Sequence, residues 1–177
     1  MLIDSPRITP ADRAIWDELL EQDKIYARSN VYKRHLQITE SILSDFITAS
    51  KESGKRYYVG LSWGKDSVCL ADMMHRLGAK CKYVYIRNLA REPEGNISVR
   101  DAFLETHDID YEEIAYDYSH ADRTYFDRNG KPKKWQHILA ELKEKYGCHV
   151  TGIRYDESAK RKRRFRTMGL ETEYSFA

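Results

Sequence analysis

The chain has 177 residues, 41% of them hydrophobic and 33% charged, with a formal net charge of +2. That length supports one sizeable hydrophobic core and hardly two, and the near-neutral balance means that any strongly positive surface is local. No apolar run approaches the roughly 20 residues of a membrane span, and Met1-Leu2-Ile3-Asp4-Ser5-Pro6 lacks the basic and apolar regions of a signal peptide, so a cytoplasmic protein without membrane contact is expected.

Thr9 followed by Pro10 reads as an N-cap and first helical position, and Ile15, Trp16, Leu19 and Leu20 then form an apolar stripe. A second helix is predicted over about Val31 to Ser53, with Ile38, Ile42, Leu43, Phe46 and Ile47 on its buried face and Gly54 at its end. These helices make an N-terminal extension, expected to pack on the sheet or on a partner. Tyr57 to Leu61 is a short apolar strand. From Asp66 the apolar residues Cys69, Leu70, Met73, Met74 and Leu77 recur at helical spacing, up to a glycine cap at Gly78.

Cys81 to Ile86 is a further strand, Ile97 to His107 a helix and Tyr111 to Tyr116 a strand. Asn129-Gly130-Lys131-Pro132 marks a turn or exposed loop, Trp135 to Tyr146 a helix ended by Gly147, and His149 to Arg154 a last strand. This alternation calls for right-handed crossovers and an α/β fold, a mainly parallel sheet with helices on both faces. Cys69, Cys81 and Cys148 show no C-x-x-C spacing and the six histidines no metal-like spacing, so buried thiols are expected rather than disulfides or zinc.

The chemistry concentrates at Gly60-Leu61-Ser62-Trp63-Gly64-Lys65-Asp66-Ser67, where a strand runs into a small-residue turn and then a helix. Gly60 and Gly64 permit close backbone approach, the N–H groups at the helix start face an anion, and Lys65 adds a mobile positive charge. A Walker A loop does not fit, because Gly60 to Gly64 is one residue too short and Asp66 stands where a metal-binding hydroxyl should follow the lysine. The nucleophile elbow G-x-S-x-G does fit Gly60 to Gly64, with Ser62 as nucleophile, and by chain order Asp117 and His149 are available as its partners. The elbow leaves Lys65, Asp66 and Ser67 without a role.

Ser62-Trp63-Gly64-Lys65-Asp66-Ser67 resembles the S-G-G-x-D-S loop of the N-type ATP pyrophosphatases, departing from it at Trp63. Further on, Gly152-Ile153-Arg154-Tyr155-Asp156-Glu157-Ser158-Ala159-Lys160-Arg161 is similar to the G-I-R-x-x-E-S-x-x-R pattern of the phosphoadenosine phosphosulfate (PAPS) reductase-like family. That family includes the small subunit of sulfate adenylyltransferase and the ATPases of DNA phosphorothioation. The resemblance covers roughly residues 55–177, and the intact Lys65-Asp66-Ser67 is closer to the ATP-using branch than to the reductases.

The resemblance implies an adenine nucleotide α-hydrolase-like, Rossmann-like domain over 55–177, after the helical extension of 1–54. It implies Mg²⁺-dependent cleavage of ATP between the α and β phosphates, with an acceptor oxygen attacking the α-phosphorus. Both motifs then face one nucleotide from the carboxyl edge of the sheet, where such folds bind ligands. Ser62, Trp63, Gly64 and Ser67 belong to the pyrophosphate cradle and Lys65 to the leaving charge. Asp66 either caps the following helix or orients Mg²⁺. Gly152, Arg154 and Arg161 serve the phosphates, Glu157 holds an arginine or the metal, and Glu157 with Ser158 equally suits a helix start.

Lys65, Asp66 and Arg154 are the expected catalytic residues. No C-terminal catalytic cysteine motif is present, so reduction of PAPS by this chain alone is not expected. The chain ends soon after the second motif, so the expectation is either a fragment or a site completed by a protein partner or a second copy. Arg87-Asn88 stands where relatives often carry an acidic or hydroxyl residue, which leaves only backbone at Tyr85 to Arg87 to read the adenine edge.

The run Lys160, Arg161, Lys162, Arg163, Arg164, Phe165 and Arg166 is a local basic patch, which Lys131, Lys133 and Lys134 extend; it is either a solvated helix face or a nucleic-acid footprint. Three functions stay open at this point. They are an AMP-forming ATP pyrophosphatase with an unknown acceptor in sulfur transfer or nucleic-acid modification, a serine hydrolase using Ser62, and a PAPS reductase-like or non-catalytic nucleotide or nucleic-acid binding module.

Overall fold

The computed structural model describes residues 8–90, 93, 95–119, 124–127, 129–152, 159, 162–163 and 166. Two compact units divide the chain, Met1–Thr48 and Ala49–Ala177. The first holds α1 (Pro10–Arg28) and most of α2 (Asn30–Ser53). Helix α1 starts as the sequence predicts, with a capping box in which Thr9 N donates to Asp12 Oδ2 at 2.9 Å and Asp12 N to Thr9 Oγ1 at 3.2 Å. The hydrogen bonds from Thr9 hold the Asp12 carboxyl below its ordinary pKa. Ser29 separates the helices and accepts Tyr32 N at 3.1 Å, which restarts the chain as α2. Ile15, Trp16, Leu19, Leu20, Ile38 and Ile42 are exposed. No described helix is long and apolar enough to cross a membrane.

The second unit is α/β. In chain order it holds β1 (Tyr57–Leu61), α3 (Lys65–Arg76), β2 (Lys82–Asn88), α4 (Asn96–Thr106), β3 (Asp110–Ser119), β4 (Thr124–Phe126), β5 (Pro132–Lys133), α5 (Trp135–Tyr146) and β6 (Cys148–Val150). The strands form one sheet in the order β5-β4-β3-β2-β1-β6. β1 pairs in parallel with β2 (Val59 beside Tyr83) and with β6 (Tyr58 beside His149), and β2 pairs in parallel with β3. Strand alternation splits the core between two faces. Tyr58, Val84 and Tyr116 pack with Ile138, Leu142 and Tyr146 of α5 on one face. Val59, Tyr83 and Tyr85 point to the other, where Tyr85 meets the Trp63 indole and Phe103 of α4 lies beside it.

The sheet is mixed: β6, β1, β2 and β3 are parallel, and two short strands that the sequence did not predict make its far edge antiparallel. β4 runs antiparallel to β3 and β5 antiparallel to β4. Four residues separate β3 from β4, too few for the crossover that a parallel neighbour needs, which is why the two strands pair antiparallel. The Asn129–Pro132 turn is the β4–β5 hairpin, held by Asp127 Oδ1 accepting Asn129 N at 2.9 Å and Lys131 N at 3.0 Å, with Gly130 at φ 73°. The last strand is shorter than predicted, ending at Val150. Cys69 and Cys148 are exposed and Cys81 half-buried, because two of the three sit on outward positions of their elements rather than in the core.

Candidate functional site

β1 ends at Leu61, and the chain reaches α3 through Ser62, Trp63 and Gly64. Trp63 has φ 55°, the single non-glycine residue with positive φ among those described. Its indole is 2% exposed and packs against Tyr85, Phe103 and Tyr111 at centroid distances of 6.1, 5.8 and 5.7 Å. The indole N–H interacts electrostatically with the Tyr111 hydroxyl without the geometry of a hydrogen bond. The bulky ring that departs from the S-G-G-x-D-S pattern is therefore directed into the core, and the turn itself is left open, with Ser62, Gly64 and Lys65 exposed.

Gly64 is the N-cap of α3 in an extended conformation and supplies no side-chain cap. A helix start without a side-chain cap is an arrangement that favours an anion. Asp66 does not cap this helix; it lies inside the first turn, half-buried, where a carboxylate interacts favourably with the helix dipole. The two serines are linked. Ser67 Oγ, in a side chain 6% exposed, donates to Gly64 O at 3.0 Å, and it accepts Ser62 N at 3.2 Å. A hydroxyl has one proton. Since Ser67 has given its own to Gly64, the 3.1 Å contact between the hydroxyls has Ser62 Oγ as donor. Ser62 is exposed, so its hydroxyl is free of packing that would keep it turned to Ser67.

The chain returns to this loop from far along the sequence. The strands proceed from β1 through β2 to β3 on one side, and β6 is then laid on the opposite side of β1, so the strand order reverses between β1 and β6. In open α/β sheets the crevice at such a reversal is where ligands enter. Gly152, two residues beyond β6, sits so close to α3 that a Cβ on it would lie 2.5 Å from Asp66 O and 3.2 Å from Ser67 N. The glycine of the second motif thus touches the first turn of the helix that carries the first. Arg154, Glu157, Ser158 and Arg161, and with them Lys160 and Arg164 of the basic run, lie outside the described residues. Lys162, Arg163 and Arg166 are helical and exposed. Lys133 is paired with Glu141 at 2.7 Å.

The alternative partners of Ser62 lie elsewhere. His149 stacks on Tyr58 at 4.6 Å between centroids, and its ring occupies the space a side chain at Gly60 would need. Part of the residue meets solvent, yet the ring is packed on the sheet and that burial lowers its pKa to about 4. Asp117 is exposed on β3 opposite Phe126. Arg87, at the carboxyl end of β2, donates to Glu113 Oε1 at 3.0 Å, and Glu113 also receives Arg100 of α4 at 2.8 Å and the Tyr111 hydroxyl at 3.0 Å. Burial pushes the Glu113 carboxyl up, but these three donors outweigh it and hold the group below its ordinary pKa.

Asn96 was not visible as a site residue in the sequence. Its Nδ2 donates to Ser62 O at 3.2 Å. The preceding Gly95, at φ 88°, is the N-cap of α4.

No protein-family model matches the chain, and no curated protein matches it.

Proposed function

We propose that the chain is a Mg²⁺-dependent ATP pyrophosphatase that forms AMP and transfers the adenylyl group to an acceptor. The approach of Gly152 to the first turn of α3 carries this reading, because it joins the two motifs at the point where the strand order reverses. On this reading the sheet unit is an adenine nucleotide α-hydrolase-like, Rossmann-like domain. The exposed serine-and-lysine turn and the uncapped start of α3 favour the same ligand, a chain of phosphates.

Ser62, Gly64 and Ser67 cradle the pyrophosphate, Gly64 and Ser67 through backbone N–H groups and Ser62 by turning its exposed hydroxyl from Ser67 to a phosphate oxygen, and Trp63 contributes through its backbone. An acceptor oxygen attacks the α-phosphorus, the bond from that phosphorus to the bridging oxygen breaks, and pyrophosphate leaves with the electron pair. Lys65 neutralises the charge that develops on the leaving oxygens, which is the chief form of help such transfers receive. Arg154 and Arg161 serve the remaining phosphate oxygens, with Glu157 and Ser158 beside them. Among the described residues no group of three or more His, Cys, Asp or Glu side chains forms a metal cage. Asp66 suits a hard cation that arrives with the triphosphate, since Mg²⁺ is ordinarily held by one or two carboxylates plus substrate oxygens. Bound there, Mg²⁺ would supply charge neutralisation on the phosphates.

The serine hydrolase reading has less support. In a nucleophile elbow the strained residue is the serine itself, whereas here it is Trp63, and the Ser62 hydroxyl is turned to Ser67. The acceptor is a nucleic acid if the exposed Lys162, Arg163 and Arg166 form part of a polyanion surface; an acceptor in sulfur transfer rests on the family resemblance alone.

Incubation with Mg²⁺ and α-labelled ATP, with Lys65→Ala beside the parent, tests the proposal. AMP and pyrophosphate are expected from the parent, with formation at least 100-fold slower in the variant, a loss of about 2.7 kcal/mol or more of transition-state stabilisation. ADP as the nucleotide product, or turnover indifferent to Lys65, would contradict it.

A further inference from the structure

Two contacts from α4 converge on the Ser62–Trp63 peptide. Asn96 Nδ2 donates to the Ser62 carbonyl at 3.2 Å, and Phe103, two turns along the same helix, packs on the Trp63 indole at 5.8 Å. The orientation of the Asn96 amide follows from chemistry, since only its nitrogen can face a carbonyl oxygen. Between these two contacts Arg100 joins α4 to Glu113 of β3 at 2.8 Å, so the helix that makes them is itself fixed to the sheet. The peptide they hold precedes the one left-handed non-glycine residue described. A residue of that kind persists where its surroundings over-determine it.

The geometry points to Asn96 as a positioning residue of the phosphate-binding loop, one that pins the Ser62 carbonyl so that Trp63 keeps its left-handed turn and the loop presents its donors to the ligand's β and γ phosphates. This rests on the phosphate-binding reading of the loop and adds to it a third element, α4, beside the two motifs. Without the amide the Ser62 carbonyl loses this partner and the Ser62–Trp63 peptide tilts, which turns the carbonyl oxygen towards the phosphates and the Trp63 N–H away from them.

Trp63 reports on this directly. Of the three tryptophans, Trp16 and Trp135 are exposed, so a Trp16→Phe, Trp135→Phe background leaves Trp63 as the sole indole emitter. In that background, emission is measured during titration with Mg²⁺-pyrophosphate, Mg²⁺-ATP and AMP, for Asn96, Asn96→Ala and Asn96→Asp. Aspartate at the first helical position favours the helix dipole, so a purely structural role in starting α4 leaves Asn96→Asp equal to the parent or better. As a carbonyl partner, a carboxylate cannot donate.

Both variants are therefore expected to bind pyrophosphate and ATP at least about 5-fold more weakly, the worth of one hydrogen bond. AMP binding should stay unchanged, and Trp63 emission should shift in the absence of ligand. Parent-like pyrophosphate binding and parent-like emission in Asn96→Asp would overturn the assignment. If the parent itself gives no response to pyrophosphate or ATP, the phosphate-binding reading fails. The pinning role of Asn96 is then decided by the ligand-free emission alone, a shift in both variants supporting it and no shift overturning it.

Discussion

Trp63 holds a backbone conformation that a bulky L-residue rarely adopts, at a cost of roughly 1–3 kcal/mol. Burying so large an aromatic side chain returns on the order of 1.5–3 kcal/mol or more, and the indole is almost fully buried among Tyr85, Phe103 and Tyr111. The buried ring therefore sustains the turn. Gly152 is the complementary case, a residue whose lack of a side chain lets two distant segments meet. Gly152→Val would force apart its backbone and that of Asp66 and Ser67. We expect ATP binding to fall by 10-fold or more in calorimetric titration while the melting temperature drops only modestly, because Gly152 lies beyond the last described strand.

His149 gives a pH dependence with a definite sign. Its pKa in the folded state is about 4, below the ordinary value of 6.5, because burial disfavours the imidazolium. Between those values the unfolded chain binds more protons than the folded one, so stability must fall as pH is lowered from about 6.5 towards 4. His149→Phe keeps the stacking on Tyr58 and removes the titration. The thermal midpoint of the variant should accordingly depend less on pH between 7 and 5 than that of the parent; equal slopes would show that the ring titrates normally.

At the scale of elements, the face of the sheet under α5 rests on few residues. Ile138 and Leu142 are 0% and 3% exposed and close over Tyr58, Val84 and Tyr116. Leu142→Ala should cost about 2–5 kcal/mol, the range for emptying a buried leucine site, measured as a shift in the urea midpoint. A change under 1 kcal/mol would mean that α5 is not a structural wall of the sheet. Helix α4 contributes differently, through Arg100 on Glu113 and Phe103 on Trp63 rather than through a broad apolar face.

Elements with strong local signals were legible in the sequence. Thr9-Pro10 announces α1, Tyr57 to Leu61 announces β1, and Gly147 ends α5 in a positive-φ cap. The antiparallel edge was not legible, because β4 has three residues and β5 two, too short for a periodicity to show. The direction of the Trp63 ring was also hidden: residue type fixes bulk, whereas the sign of φ is settled by the aromatic slot between β2, β3 and α4. Asn96 stayed invisible for the related reason that its partner, the Ser62 carbonyl, is backbone and leaves no mark in the sequence.

At the scale of the whole molecule, the buried side chains are concentrated in the unit Ala49–Ala177, and among the described residues of Met1–Thr48 none is buried. The sheet unit begins at Ala49, in the C-terminal part of α2. Within it, three parallel pairings and one reversal of strand order put β1 at the centre of the parallel part, with the loop at Ser62 and the segment at Gly152 leaving from neighbouring carboxyl ends. The proposed activity requires these two segments to form one triphosphate site with Lys65 beside the phosphates. An acyl-phosphate derivative of ATP, which transfers its acyl group to a lysine next to the terminal phosphates, tests it by peptide mass spectrometry. Acylation at Lys65, suppressed by excess ATP and diminished in Gly152→Val, is the result the account predicts; an unmodified Lys65 beside ATP-protected labelling at another lysine would contradict it.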